Sequence, residues 1–220
     1  MNRRMIFPIL LGVFGISVLM SLGFWQLARL EWKQGILAEI DSRLSAAPVD
    51  LPASLDPVAD KYLSVKVSGE WLPGEIHVLS GLERVGAGFL IVAPFATDDG
   101  RTILIERGFA LETAKNAERP LGADTVSGTY LIPNEGEAHP DRTRNIWIVR
   151  DVPAMAKELG TEQLYIVERE AQIDDGLMLA QVGANVPNNH LNYAITWFGF
   201  AAVWLLMTLY LLSRIKRRTV

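Results

Sequence analysis

The chain has 220 residues, of which 50% are hydrophobic, and a formal net charge of −4 at pH 7. It contains no cysteine, which excludes a disulfide framework, a zinc ribbon, thiol-based copper handling and a cysteine nucleophile. All 25 acidic residues lie between Glu31 and Asp175, whereas the two ends of the chain carry only basic charges. An acidic middle region of this kind is a poor candidate for binding nucleic acid.

Residues 5–28 contain no charged side chain and form the first candidate membrane-spanning helix. A cleaved signal peptide is the alternative, because Ser21–Gly23 offers small residues for a cleavage site. The apolar run is too long for a typical signal core and continues beyond that site, so an uncleaved anchor fits better. Arg3 and Arg4 predict a cytoplasmic N-terminus by the positive-inside rule.

The exit of this first span carries polar residues on one helix face. Gln26, Arg29 and Lys33 are spaced i, i+3 and i+7, and Trp25 and Trp32 are seven residues apart. Tryptophans at an interface and cations that snorkel to water would account for this pattern. However, flanking cations are under-represented on the side away from the cytoplasm, which favours a specific role such as pairing with a carboxylate.

The region after the first span begins with a helical extension and then changes to short strands. Heptad-spaced leucines predict that the helix continues to about Leu44, with Pro48 beyond its end. One further helix is predicted, with Asp151 as its cap, Pro153 in its first turn and Gly160 just beyond its end. Alternating apolar residues between turn signals predict strands at 62–67, 76–79, 89–94, 102–106, 126–132, 146–149 and 164–167. This pattern predicts a β-rich α+β domain whose antiparallel sheet folds toward a barrel or sandwich.

Motifs that would indicate an enzyme are largely missing from this domain. Gly86–Gly88 lacks the third glycine and the downstream acid of a dinucleotide loop, and there is no phosphate loop or nucleophile elbow. His77, in a strand, is expected to be packed or exposed, and His139, in a polar loop, to be solvated. Arg107–Gly108 is interpreted as a strand-end turn with a surface cation. We therefore expect no enzymatic activity.

Residues 191–213 are again uncharged and form the second candidate span. Asn188 or Asn189 suits the N-cap position, because its side-chain oxygen can accept from a backbone N–H of the first turn. His190 then lies in that turn, where the positive end of the helix dipole disfavours an imidazolium. A neutral imidazole keeps one nitrogen free to bind iron or another metal. The simpler alternative is that His190 only anchors the helix at the membrane interface.

Basic residues after the second span predict a cytoplasmic C-terminus, which places the acidic middle region on the other side of the membrane. The predicted organisation is a cytoplasmic N-terminus (1–4), a first span (5–28), an extracytoplasmic β-rich domain (29–189), a second span (190–212) and a basic cytoplasmic tail (213–220). The short segment before the first span is not an Arg- and Ser-rich presequence. We therefore expect a multi-pass protein of a bacterial inner membrane, with its main domain in the periplasm.

Two motifs flank the middle region. At the exit of the first span, the motif is Gly23–Gln26 with Arg29 and Trp32–Lys33, and at the start of the second it is Asn189–Leu191 with Tyr193–Ala194 and Thr196–Phe198. Both resemble motifs of the surfeit locus protein 1 family, membrane proteins that assist assembly of haem-copper cytochrome oxidases. Weaker matches lie between them, at Tyr62 with Gly69, Gly88–Pro94, Arg107–Phe109, Pro133–Asn134 and Trp147 with Asp151. One departure is Phe109–Ala110, where the family often has Trp followed by Pro.

The resemblance implies an assembly factor, without turnover of its own, that binds haem a transiently and aids its delivery to cytochrome c oxidase subunit I. His190 is then the haem iron ligand, in a pocket that is expected to include Trp25, Gln26, Arg29 and Trp197. The implied partners are subunit I, haem a synthase and membrane lipid, with no metal besides the haem iron. The alternatives are a two-span sensor or accessory protein whose extracytoplasmic domain binds a small molecule, and a membrane enzyme that uses outer-face carboxylates.

Overall fold

The computed structural model describes residues 3–133, 135–171, 173, 175–179, 182 and 188–217. Asn134, which belongs to one of the weaker motifs, lies outside the described residues, as do the outermost residues of both predicted tails. The chain forms two compact units. We refer to Met1–Glu39 with Ala184–Val220 as the helical unit and to Ile40–Gly183 as the β domain.

The described helices are α1 (Arg3–Leu44), α2 (Val152–Leu159) and α3 (His190–Arg217). Helix α1 ends at Leu44, where the heptad pattern predicted its end. Both α1 and α3 are long and apolar enough to cross a membrane, and most of their surface is exposed. At about 1.5 Å per residue, helices of this length exceed the ~30 Å hydrocarbon layer. Two apolar helices near the termini therefore fit a membrane protein.

Helices α1 and α3 pack closely and antiparallel, because glycines of α1 lie opposite side chains of α3. The contacts run in opposite directions along the two helices: Gly12 faces Thr208, Gly15 faces Trp204 and Gly23 faces Phe198. A Cβ atom added at Gly23 would lie 2.4 Å from the Phe198 ring, too close for any real side chain. Small residues of this kind allow two apolar helices to approach where lipid provides no hydrophobic driving force between them.

Seven strands form the sheet of the β domain. They are β1 (Val49–Asp50), β2 (Ser64–Trp71), β3 (Ile76–Leu82), β4 (Gly86–Thr97), β5 (Thr102–Leu111), β6 (Gly122–Tyr130) and β7 (Tyr165–Glu170). Their order is β1-β2-β6-β7-β5-β4-β3, and β2 also pairs with β4. The pairings therefore run in a circuit through β2, β6, β7, β5 and β4.

The sheet is mixed, whereas the strand pattern predicted an antiparallel one. Strand β7 lies between β6 and β5, antiparallel to the first and parallel to the second, and β1 is parallel to β2. The parallel strands β5 and β7 are joined by a long connection that contains β6 and α2, as a parallel pairing requires. Helix α2 itself is confirmed: Asp151 caps it by accepting from Ala154 N at 3.0 Å, Pro153 lies in its first turn, and Gly160 (φ +68°) ends it.

The strand predicted at 146–149 is wrong. Ile146 forms a bridge to Asp141 and Trp147 forms one to Val78, but no longer ladder follows. The Asp141 side chain accepts from the backbone N–H of Arg144, and Asn145 has φ +49°, so a tight turn precedes Ile146. The apolar residues 146–149 have the composition of a strand, but only Ile146 and Trp147 are paired, which is too short a segment to form one.

Strands β4, β5 and β7 have apolar residues buried on both faces. Leu104 and Val167 belong to a cluster that packs against α2, whereas Ile103, Ile105 and Ile166 belong to a second cluster with residues of β2 and β6. Side chains alternate between the two faces of a strand, so consecutive apolar residues of one strand serve both clusters. This double burial explains the nearly continuous apolar runs in these strands.

Candidate functional site

The first residue of α3 contacts α1 through a side-chain hydrogen bond. His190 Nδ1 lies 2.8 Å from Gln26 Oε1, and both residues belong to the helical unit. Gln26 is only 8% exposed, so this polar contact is enclosed between two apolar helices. Interhelical polar pairs in such a setting are few and most often mark a functional position.

This hydrogen bond fixes the tautomer of His190. The amide oxygen of Gln26 can only accept, so Nδ1 of the imidazole carries the proton and donates it. In a neutral imidazole Nε2 then keeps its lone pair. Nε2 makes no hydrogen bond to any residue within the described part of the chain. Histidines that bind metals have this arrangement, with one nitrogen donating to a protein group and the other open.

The cap of α3 differs from the prediction for Asn188. The backbone carbonyl of Asn189 accepts from Tyr193 N at 3.2 Å, which begins the helix, but Asn188 Oδ1 is buried without a hydrogen-bond partner. Among the described residues, the Asn189 side chain does not cap the helix either. Within the described chain, the first turn of α3 therefore has no side-chain cap for its N–H groups.

An aromatic contact lies next along the helix pair. The Phe198 ring is seated against Gly23 and meets the Phe24 ring edge to face, with the ring centroids 5.4 Å apart. The sequence motifs contained these residues, but no site role was assigned to them. The signal that would have identified them is the pairing of a glycine with an aromatic residue at matching depth in two antiparallel helices.

The structure does not bring Trp25 and Arg29 to His190. Trp25 is 58% exposed, because it is one residue, and therefore about 100° around the helix, away from Gln26. The Arg29 guanidinium stacks on its own helix, 4.0 Å from the centroid of the Trp32 ring. The Trp197 ring contacts Phe200 of the same helix, with centroids 6.2 Å apart. Of the predicted pocket residues, Gln26 is the one that meets His190.

The chemistry available at His190 is that of a single imidazole ligand. Within the described ranges, no group of three or more His, Cys, Asp or Glu side chains is placed to hold a metal ion. A bare metal ion normally requires several protein ligands. Iron in a porphyrin brings its own equatorial nitrogens and needs only axial ligands from the protein. His190 offers one nitrogen ligand of this kind.

The β domain contains a buried charge network that no motif indicated. Glu106 is 1% exposed, and its carboxylate accepts from Tyr165 Oη at 2.5 Å and from Arg150 Nη1 at 3.3 Å. Arg150 also pairs with Glu135 at 2.5 Å. Burial raises the pKa of Glu106, and burial likewise raises the pKa of Tyr165. The network joins the segment before α2 to strands β5 and β7, which points to a structural role.

Arg107 is not the surface cation that was predicted. Arg107 is only 3% exposed. Its guanidinium lies 4.1 Å from the centroid of the Trp71 ring, and its Nε lies 3.0 Å from Asp175 Oδ2. Strand β5 continues through Leu111, so Arg107 lies within a strand and not at its end. His77 is buried in β3 and His139 is exposed, as expected.

The part of the chain that matches a known protein family includes both residues of the contact between α1 and α3. The SURF1 family model matches residues 13–202, which include Gln26 and His190. A SURF1-like protein of Rickettsia bellii is 32% identical over 92% of this chain and 88% of its own length. Surfeit locus protein 1 of Rattus norvegicus and of Homo sapiens are each 33% identical over 83% of this chain, and over 68% and 70% of their own lengths. The chain belongs to the SURF1 family.

Proposed function

We propose that this protein is a membrane-inserted assembly factor for haem-copper cytochrome c oxidase, and that it holds haem a through His190 before delivery to subunit I. The observation that supports this proposal is the hydrogen bond from His190 Nδ1 to Gln26 Oε1. It leaves Nε2 as the donor atom for an axial iron site. Membership of the SURF1 family is consistent with this proposal. A haem carrier of this kind requires no enzymatic turnover.

In this proposal α1 and α3 cross a bacterial inner membrane, with both termini in the cytoplasm and the β domain in the periplasm. The apolar length of both helices and the basic residues Arg214, Lys216 and Arg217 in the last turn of α3 support this topology. Similarity to Rickettsia proteins supports the bacterial assignment. His190 then lies at the end of α3 remote from the cytoplasmic charges. A ligand held there reaches the membrane surface without crossing it.

Each residue of the site has a separate part in holding the haem. His190 would supply a nitrogen ligand, and Gln26 holds its tautomer and ring orientation. Phe24, Phe198 and the exposed Trp25 provide apolar surface at the same end of the helix pair. Arg29, whose guanidinium now stacks on Trp32, would have to leave that ring to pair with a propionate. When bound, the haem would supply a Lewis-acidic iron, and His190 would have to meet it with an unprotonated nitrogen.

Binding through His190 would also suit transfer better than storage. A haem held by this imidazole alone would have one bond to the protein to lose on leaving. Haem a synthase and oxidase subunit I are the proposed donor and acceptor, with membrane lipid around all three. We further propose that the circuit of paired strands forms a small barrel. This barrel would be the periplasmic domain that contacts the partner proteins.

The test is the absorbance spectrum of protein purified in detergent from cells that make haem a. We expect a haem spectrum from the wild type and its loss in His190→Ala, with membrane insertion unchanged. The matched control is His139→Ala, which removes an exposed histidine of the β domain and should keep the full spectrum. Full haem content in His190→Ala would refute the ligand assignment.

A second measurement separates the assembly role from haem binding. Deletion of the gene should lower the amount of assembled haem-copper oxidase without lowering other membrane complexes. Complementation with the wild type or with His139→Ala should restore it, and His190→Ala should not. Full restoration of assembled oxidase by His190→Ala would leave only a scaffold role for the protein. It would contradict delivery of haem through this histidine.

A further inference from the structure

Residues 107–109 of β5 have a role that the site at His190 does not explain. Strand β7 pairs with β5 only as far as Glu106, and beyond that residue the same edge of β5 forms a bridge to Met178. Phe109 N donates to Met178 O at 2.7 Å, and Met178 N donates to Phe109 O at 2.9 Å. We call residues 175–178, which belong to the connection between β7 and α3, the strap.

All three residues of this stretch of β5 contact the strap. Arg107 Nε lies 3.0 Å from Asp175 Oδ2, and both side chains are nearly buried. A Cβ atom added at Gly108 would lie 2.7 Å from the Met178 carbonyl oxygen, so a side chain there would push the strap away. Phe109 supplies both backbone hydrogen bonds. Residues 107–109 therefore form a binding site for the chain's own strap.

The attachment of the strap depends on the charge of Asp175. Its backbone pairing among the described residues is the single bridge at Met178, and the partly buried Leu177 and Met178 side chains pack on apolar clusters of the sheet. The buried Arg107 Nε makes no hydrogen bond in the described chain, so Asp175 is attracted by charge and not by a directed bond. A segment attached in this way belongs to the low-stability part of a folded domain.

A second buried carboxyl group lies beside this ion pair. Glu168 of β7 is 4% exposed, and the charges that act on it are those of Arg107, Asp175 and Asp124. Asp124 is fixed on β6, where it accepts from Trp71 Nε1 at 2.9 Å. One guanidinium therefore lies among three carboxyl groups. Of these three, only Asp175 lies outside the strands of the sheet.

The protonation of Glu168 determines the charge balance of this cluster. Burial and the charges of Asp175 and Asp124 raise the pKa of Glu168 to about 8, against the lowering effect of Arg107. Below this pH Glu168 is largely uncharged, and Arg107 pairs with Asp175. Above it, Glu168 repels Asp175 and competes for the same guanidinium. Movement of the strap relieves this repulsion, because the other two carboxyl groups are held in strands.

The other charges near Arg107 do not offset this change. Glu75 and Arg119 line a cavity together with Arg107, but they pair with each other at 2.6 Å. Glu118, at the same cavity, is exposed, so that solvent screens its charge.

We propose that the strap is a pH-sensitive latch, which stays bound to residues 107–109 while Glu168 is protonated and is released when Glu168 ionises. Release uncovers a strand edge of β5, with its backbone N–H and C=O groups open to a new partner. The proposal is independent of the role of His190.

The test follows the Met178 methyl group by NMR in full-length protein labelled with ¹³C-methyl methionine, in detergent, between pH 5.5 and pH 9. Met178→Leu assigns the signal. The bound state favours protonated Glu168, so the ratio of released to bound strap should rise with pH, by up to about tenfold per pH unit, and level off above about pH 8. Glu168→Gln cannot ionise and should stay bound throughout. Glu170→Gln, at an exposed position of the same strand, should respond as the wild type does.

Two further signals separate release of the strap from unfolding. Asp175→Asn removes the charge that holds the strap, so more of it should be released at pH 6 than in the wild type. Met155, buried in α2, should keep its folded signal at every pH. The proposal is overturned if the Met178 signal does not change with pH, or if Glu168→Gln changes as the wild type does. It is also overturned if Met155 reaches its unfolded position together with Met178, because the whole domain then opens.

Discussion

Polar groups have different meanings in the two units of this protein. In the helical unit the hydroxyl groups of Ser21, Thr196 and Thr208 bond within their own helices, whereas the pair of His190 and Gln26 crosses between them. In the β domain, buried charges such as Glu106 are satisfied by several partners at once. A lone polar contact between apolar helices therefore indicates function, and a saturated network indicates structure.

If the network in the β domain is structural, its disruption should lower stability without affecting haem. Arg150→Ala leaves Glu106 buried without its counter-charge, and we expect a loss of roughly 3 kcal/mol in the free energy of unfolding. The control is Arg142→Ala, which removes an exposed ion pair to Glu158 and should cost at most about 1 kcal/mol. Tryptophan fluorescence during denaturant unfolding measures both. Equal losses in the free energy of unfolding in the two variants would contradict a structural role for the network.

The pH dependence of stability tests the same domain through Glu168. Its folded pKa of about 8 exceeds its ordinary value of 4.5. Between these values the folded protein holds a proton that the unfolded chain releases, so stability should fall as pH rises, by up to about 1.4 kcal/mol per pH unit.

Glu168→Gln should flatten this decline, and the protein should be more stable than the wild type at pH 8. Glu170→Gln, at an exposed position of the same strand, should keep the slope of the wild type. Thermal unfolding between pH 5 and pH 8 measures the difference. An unchanged slope in Glu168→Gln would show that another group causes the decline.

Packing, and not polar contact, should determine the stability of the helical unit. Gly23→Ala inserts a Cβ atom 2.4 Å from the Phe198 ring, and we expect a cost of about 1–3 kcal/mol. Gly35→Ala is the control, because a Cβ atom there meets nothing within 4 Å and the same helix gains propensity. Thermal unfolding in detergent compares them. Equal melting temperatures would show that the helices do not pack at Gly23.

Loss of the Gln26 contact should have little effect on stability and a clear effect on ligand binding. Gln26→Leu keeps the size of the side chain and removes the acceptor for His190 Nδ1. We expect haem affinity to fall about 10–100-fold, the usual effect of removing the partner of a ligating histidine. Haem titration of the purified variant measures this. An affinity equal to that of the wild type would show that the contact only joins the helices.

Regular elements were the part of the fold that the sequence predicted well. The heptad leucines ending at Leu44 and the cap, proline and glycine around α2 are local signals, and the structure confirms them. The parallel position of β7 was missed, because it depends on a crossover that no local pattern records. Arg107 was misjudged for the same reason: its partners Trp71 and Asp175 are distant in sequence.

The site was predicted in part. The first-turn position of His190 and the face that carries Gln26 follow from helical periodicity. Which α1 residue meets His190 depends on the register of the helix pair, and glycines opposite large side chains set that register. Trp25 and Arg29 lay within the same motif, but Trp25 is rotated about 100° around α1 from Gln26 and the Arg29 guanidinium stacks on Trp32.

The most direct test of the central claim is chemical rescue of the proposed iron ligand, His190. His190→Gly, purified from cells that make haem a, should lack the haem spectrum, and free imidazole added during haem loading should restore it. Restoration requires that the lost group is an imidazole nitrogen at that position. A haem spectrum in His190→Gly without imidazole, equal to that of the wild type, would contradict the account.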